Sequence, residues 1–296
     1  MEIRPAEPAD IESAVAMHDR VVPFFAVTAT GLRHRLQGGQ APPPGSGTFV
    51  AAEGGRVVGW ATTGLIAGSV PLDGQLRLVV DPDFRGQGIG TELLELAHGT
   101  LKAAGAVSAR VFADPASVEW AARWGYRQTR EVYYVGMDPR DAPPRPPVPE
   151  GLRLSALDRL DPHQVYEADE VAQRTKPGDA RIAARPYDEW LAGTWKAPGL
   201  RLDLSVAALD GDRVVGFTLG NGDDRLLWSQ MTATMPDQRG RGLAKLVKCE
   251  ALHRAAAADI TRMYTANYVG NEPMIAVNRW LGYSILARHA VLICPL

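Results

Sequence analysis

Apolar and polar positions alternate along this chain in two registers, and the same succession of registers is run through twice. In the first pass Glu2-Ile3-Arg4 reads as a short strand. A 3.6-residue spacing predicts a helix over Ile11–Val21 with Asp10 as its N-cap, continued by Phe24, Phe25 and the segment to Leu36. Gly38–Gly47 is too rich in Gly and Pro for regular structure. Thr48–Ala52 and Arg56–Leu65 read as two strands, and the Glu53-Gly54-Gly55 turn that joins them predicts a hairpin. Leu76–Val80 reads as strand, Glu92–Ala103 as helix and Ser108–Phe112 as strand. Val118–Trp124 is a short helix stopped by Gly125-Tyr126, and Glu131–Met137 is a strand.

Pro139, Pro143, Pro144, Pro146, Pro147 and Pro149 then follow within one short stretch. Such density precludes helix and central strand. It predicts a domain over 1–138, a semi-rigid linker over 139–150 and a second domain over 151–296. Beyond the linker the pattern restarts with Leu152-Arg153-Leu154 as strand and Asp158–Gln173 as helix. Thr175–Pro186 is loop-like and Tyr187–Trp195 an aromatic-rich helical stretch. Ser205–Leu209 and Arg213–Leu219 form a second hairpin about Asp210-Gly211-Asp212. Strand Leu226–Met235, helix Lys245–Ala258, strand Arg262–Tyr268, helix Glu272–Trp280 and strand Ile285–Ile293 close the chain.

Three landmarks recur in one order. Pro-Asp-x-Arg-Gly-x-Gly begins at Pro82 and again at Pro236, 154 positions on. Arg-Val-Val-Gly plus an aromatic occurs at Arg56–Trp60 and Arg213–Phe217, and a helix-stopping Gly-Tyr at Gly125 and Gly282, each pair 157 positions apart. The chain is therefore two copies of one α+β unit.

The landmark loops also carry the chemistry. Pro82–Gly90 and Pro236–Ala244 each join a strand to a helix, where orphan backbone N–H groups and the dipole favour an anion. Their glycines let the backbone come close to it, and an arginine stands beside it. Both read as diphosphate cradles. Neither ends in Gly-Lys-Ser/Thr, which argues against a P-loop nucleotide enzyme.

Composition narrows the partners. A net charge of −2 without a basic stripe gives no case for nucleic acid or an anionic membrane. No apolar run approaches the ~20 residues of a bilayer span, and the N-terminus lacks a signal-peptide core. Cys249 and Cys294 have no metal-ligand spacing, so they are expected as buried free thiols in a reducing cytoplasm, with no metal site.

The duplicated loops resemble the pyrophosphate motif of the Gcn5-related N-acetyltransferase (GNAT) superfamily: Arg or Gln, two residues, Gly, one residue, Gly or Ala. Arg85-x-x-Gly88-x-Gly90 and Arg239-x-x-Gly242-x-Ala244 both match. The likeness covers nearly the whole chain, in the family's tandem two-domain form. It implies an α+β fold of two GNAT-like domains, each a twisted mixed sheet flanked by helices and splayed between its fourth and fifth strands. The splay would take the pantetheine arm of acetyl-CoA along strand edges at Val79 and Val80, or at Ala233, Thr234 and Met235. The cradles, Arg85, Gln87, Gly88, Ile89, Gly90 and Thr91 in one half and Arg239, Gly240, Arg241, Gly242, Leu243, Ala244 and Lys245 in the other, would hold the diphosphate. The family's arm-binding Asn falls at Asn271 in the second half, with Asn278 nearby; the first half has Asp114, an acceptor that cannot donate as an amide does.

Acetyl transfer from a thioester to an amine needs a neutral amine, a polarised carbonyl and a protonated leaving thiolate. The family's usual carboxylate and tyrosine positions hold Arg77 and Ala121 in the first half. In the second half they hold Gln230–Met231 and Asn278, so neither half carries the common pair. The resemblance leaves Asn278, Tyr264 and Tyr268 as the catalytic candidates of the second half. Asp203 and Glu272 are possible bases and His253 is structural. Tyr187, Trp190 and Trp195 either line an acceptor mouth or form core. The expectation is a cytoplasmic, acetyl-CoA-dependent N-acetyltransferase acting by direct transfer on a small-molecule amine acceptor, catalytic in its C-terminal half. It is expected as a monomer or homodimer, with no nucleic acid or membrane partner. The competing reading, drawn from the missing acid and base, is a non-catalytic acyl-CoA-binding module or sensor.

Overall fold

A computed structural model describes residues 1–25, 27–37, 43–175 and 182–296. The loops expected over Gly38–Gly47 and Thr175–Pro186 lie partly outside these residues. In the first repeat the strands are β1 (Glu2–Pro5), β2 (Gly47–Glu53), β3 (Arg56–Leu65), β4 (Asp73–Val80), β5 (Ser108–Ala113) and β6 (Arg127–Met137). Its helices are α1 (Ile11–Val21), α2 (Ala29–Gln37), α3 (Ile89–Ala103) and α4 (Val118–Ala122). The second repeat has strands β7 (Leu152–Ala156), β8 (Val206–Asp210), β9 (Arg213–Gly222), β10 (Leu226–Thr234), β11 (Arg262–Tyr268) and β12 (Ser284–Pro295). Its helices are α5 (Pro162–Thr175), α6 (Tyr187–Trp190), α7 (Leu243–Ala257) and α8 (Glu272–Leu281).

The chain condenses into two units. One comprises Met1–Val132, Asp179–Ala183 and Arg288–Leu296; the other comprises Tyr133–Gly178 and Ala184–Ala287. Strand order is β1-β2-β3-β4-β5-β12 in the first unit and β6-β11-β10-β9-β8-β7 in the second. The closing strands of the two repeats have thus changed places. Ala290–Pro295 of β12 pairs antiparallel with Ala113–Ser108 of β5, burying Ala290, Leu292 and Cys294 against α3. Tyr133, Val135 and Met137 of β6 pack in the core under α7. The partition expected at 138 and 151 follows the repeat, whereas compaction follows these strand exchanges.

In each unit two parallel strands pair for only three residues and then part. Asp73–Gln75 of β4 pairs with Ser108–Arg110 of β5, so Gln75 and Arg110 form the last rung. In the second unit Leu226–Trp228 pairs with Arg262–Tyr264, and Trp228 and Tyr264 form the last rung. Immediately beyond it β10 bulges against β9: Ser229 faces Gly220 and Met231 faces Leu219, leaving Gln230 out of the ladder.

Several local expectations are corrected. Asp10 does not cap α1 with its side chain; its carboxylate accepts from Arg4 (2.7 and 3.0 Å) and from the Glu7 N–H (2.8 Å). The helical stretch through Phe24 and Phe25 is interrupted, because Pro23 cannot continue α1. The Pro-rich segment is anchored to α7. His253 Nε2 donates to the Pro143 carbonyl (2.9 Å) and Arg145 pairs with Glu250 (2.7 Å). His253 is structural, and both cysteines are free and buried.

Candidate active site

The cradles begin with proline and end on glycine, and the geometry follows. Pro82–Phe84 and Pro236–Gln238 each make a single helical turn, in which proline's missing N–H costs nothing. Gly88 (φ 87°) and Gly242 (φ 78°) then take left-handed conformations at the N-caps of α3 and α7, which L-residues avoid. A Cβ on either glycine would point into open space. The loops lie on the surface, with Arg85–Gly88 and Arg239–Gly242 exposed.

Their amides are left over. Among the described residues the N–H groups of Gln87, Gly88, Ile89 and Gly90 donate to no acceptor, nor do those of Arg241, Gly242, Leu243, Ala244 and Lys245. Thr91 departs from expectation, because its N–H is spent on the Gly88 carbonyl (2.9 Å). Such a ring of free donors at a helix start fits a diphosphate. Arg239 lies beside its cradle, donating to Thr175 Oγ1 (3.1 Å), and Arg85 Nε donates to the Val80 carbonyl (3.4 Å). Lys245 sits over the Trp280 ring (5.1 Å), on the side facing α8.

The entrances to the cradles differ. Asp81, fully buried, accepts from Arg56 (2.6 Å) and from Arg20. Its counterpart is Met235, buried in apolar core. There the repeat's arginine, Arg213, instead grips Asp237 with two bonds of 2.8 Å. That ion pair holds the Asp237 carboxyl down to about 2.

The two positions expected to meet the arm also part company. Asp114 is occupied, accepting from the Ala116 N–H (2.6 Å) as the cap of its own turn. Asn271 stands at the N-cap of α8 without a side-chain capping bond, so its amide remains available. Asn278, on the buried face of α8, donates through Nδ2 to Asn267 Oδ1, while its own Oδ1 is buried without a partner. Tyr268 is half-buried at the end of β11. The strand-edge residues divide: Val79 and Met235 are core, whereas Val80, Ala233 and Thr234 are half-buried.

Other candidates are engaged in packing or ion pairs. The Tyr264 ring lies against Gly136, where any Cβ would meet it at 2.6 Å. Trp190 is fully buried, its Nε1 donating to buried Asp169 (2.7 Å), so it is core rather than acceptor mouth. Asp203 is clamped by Arg201 (3.0 and 2.8 Å), and this hydrogen bonding lowers its pKa, away from that of a useful base.

The sequence reading missed the most unusual group in the second unit. Lys248, on α7, is fully buried. Its Nζ donates to Ser229 Oγ (3.0 Å) and lies 5.3 Å from the centre of the Tyr283 ring. Burial alone pulls its pKa down to about 7. From Ser229 a hydroxyl chain runs to Thr218 (3.4 Å) and on to Thr232 (2.9 Å), on the strand edge beyond the parting. Thr265 Oγ1 donates to the Ser229 carbonyl (3.0 Å). The signal was available: Lys248 occupies the repeat position of Leu94, a core residue of α3.

Comparison with known proteins agrees with this geometry. Residues 44–128 match the acetyltransferase (GNAT) domain model, and residues 165–283 match the acetyltransferase (GNAT) family model. The chain is 28% identical over 291 residues to a mycothiol acetyltransferase of Nocardioides sp., covering 93% of this chain and 92% of that protein. It is 30% identical over 257 residues to one from Rhodococcus erythropolis, covering 82% of each. A GCN5-related N-acetyltransferase from Sphaerobacter thermophilus shares the fold with TM-score 0.76 and 18% identity, covering 99% of this chain and 95% of that one. A tandem GNAT protein from the clavulanic acid biosynthesis pathway does so with TM-score 0.73 and 20% identity, covering 99% and 98%. The two domain matches and these relatives define an acetyltransferase of the GNAT class. The chain belongs to the GNAT superfamily, as a tandem two-domain N-acetyltransferase.

Proposed function

We propose that this protein transfers an acetyl group from acetyl-CoA directly to a small amine, at the parting of β10 and β11 in its C-terminal half. The observation that carries the choice of half is the contrast between Asn271 and Asp114: one amide is free, the other side chain caps its own turn. Acetyl-CoA supplies the acyl group already activated as a thioester. The free amides of Arg241–Ala244 and the Arg239 guanidinium bind the diphosphate. The edge from Ala233 to Met235 aligns the arm, and Asn271 donates to its amide groups. Gln230, out of the ladder at the bulge, borders the reacting end. Asn278 holds that end in register through its pair with Asn267, and the Tyr268 phenol is the acid we assign to the departing thiolate.

The names of the similar proteins suggest an acceptor chemistry to begin with, mycothiol lacking its acetyl group. The two free thiols are consistent with a reducing cytoplasm. The test is acetyl-CoA turnover against that compound and a panel of small amines, read as free thiol released. Release that depends on the amine is the expected result. Tight acetyl-CoA binding with no amine-dependent release would favour the sensor.

A further inference from the structure

Arg110 stands on the last rung before β4 and β5 separate in the first unit. It is buried, 8% exposed, and its Nε and Nη2 have no hydrogen-bond partner. Among the described residues no carboxylate forms an ion pair with it and no aromatic ring covers it. Its neighbours Ala109 and Ala113 belong to the core under α3, so strand alternation turns Arg110 and Phe112 to the opposite face. On that face of β4, two residues beyond Gln75, lies a second guanidinium, Arg77, held over the Phe25 ring at 3.6 Å. The corresponding rung of the second unit has Tyr264 in place of Arg110, a neutral side chain packed on Gly136.

Which nitrogens are unpaired matters more than their number. Nε and Nη2 share one edge of the guanidinium plane, and their two N–H bonds run parallel. That edge is the fork which binds a carboxylate through two parallel hydrogen bonds. A buried cation with this fork unfilled is costly unless something supplies the oxygens. A solvent-facing arginine would turn the fork to water, whereas here the fork is its buried part.

We propose that the first unit holds a second small-molecule site, distinct from both cradles, in which the Arg110 fork binds the carboxylate of an organic acid where β4 and β5 part. The second cation, Arg77, adds a favourable field for an anion at that point. This site does not depend on which half transfers acetyl groups.

The test uses the full chain with succinate, acetate and inorganic phosphate as probes. It reads the Arg110 Nε resonance by nitrogen-edited NMR and the thermal unfolding midpoint. Succinate or acetate is expected to shift the resonance saturably and raise the midpoint. Arg110→Met, which removes the unpaired buried charge, is expected to unfold at a higher temperature than the parent without ligand and to ignore the carboxylates. Arg110→Lys keeps the charge but not the fork, and should weaken binding by at least about tenfold. The proposal falls if no probe gives a saturable response or if Arg110→Met responds as the parent does. It falls equally if phosphate binds more tightly than either carboxylate, or if coenzyme A displaces them and so claims the fork for its own site.

Discussion

Lys248 Nζ and Ser229 Oγ meet at 3.0 Å inside the second unit, a buried amine held by a hydroxyl instead of a carboxylate. Burial lowers the lysine pKa from 10.5 to about 7. The unfolded chain keeps the proton up to the ordinary lysine range, while the folded chain gives it up near neutrality. Between those two values the unfolded state binds more protons, so stability rises with pH. The expected slope approaches about 1.4 kcal/mol per pH unit for this one group. Urea unfolding of the parent and of Lys248→Met from pH 7 to 10, about the span between the two pKa values, should show that slope only in the parent. Equal slopes in the two proteins would mean that Lys248 keeps its proton in the folded state.

Ser229→Ala takes away the lysine's hydrogen-bond partner and leaves a buried amine unsatisfied. A loss of about 1–3 kcal/mol is expected. In a Lys248→Met background the same substitution should cost much less, because the group needing the hydroxyl is gone. Additive costs in a double-mutant cycle would show that the two residues act independently.

These two residues also mark where sequence reading stops. The repeat, the hairpins and α1 were legible because each rests on local periodicity or a turn signal: Arg56–Leu65 and Arg262–Tyr268 have the same bounds in the sequence reading and in the fold. The cradle loops were legible because proline fixes its own φ and glycine alone readily takes the positive φ such a bend needs. The exchange of β6 and β12 was not, since the two strands carry similar patterns and nothing local states which sheet edge accepts which. The interior of α7 was not legible because lysines are almost never fully buried and nothing local marks Lys248 as an exception. The same expectation holds for Arg110 on β5, and the aromatic run Tyr187–Trp195 gave no sign that Trp190 would be spent on Asp169.

Asp169 is where the α5 side of the second unit is most exposed to substitution. Its carboxylate accepts from Trp190 Nε1 (2.7 Å), Arg185 Nη2 (3.1 Å) and Gln173 Nε2 (3.2 Å). Asp169→Ala takes one of two carboxylates from the Arg185 guanidinium, only 14% exposed, and leaves it Glu170 (3.4 Å) and Thr194 Oγ1 (3.2 Å). A loss of about 3–5 kcal/mol is expected by urea unfolding. Trp190→Phe removes one donor while Arg185 and Gln173 remain, and should cost clearly less. The reverse order would mean that ring packing, not the carboxylate, holds this layer.

Gly242→Glu and Gly88→Glu form a matched pair for deciding which half works. Both glycines cap a helix with φ near 80° (78° and 87°), and both face open space. The backbone penalty of a side chain is therefore the same at the two sites, roughly 1–2 kcal/mol. Each glutamate also sets a negative charge among the free amides where the diphosphate would bind. Unfolding midpoints should fall by similar amounts, so the loss of structure cancels in the comparison. Acetyl-CoA turnover with a competent amine should then vanish in Gly242→Glu and persist in Gly88→Glu, while calorimetry of the latter still detects coenzyme binding by the second cradle. Turnover that survives in Gly242→Glu and disappears in Gly88→Glu would move the chemistry to the first unit, and Asn271 would lose the role that its unspent amide suggests.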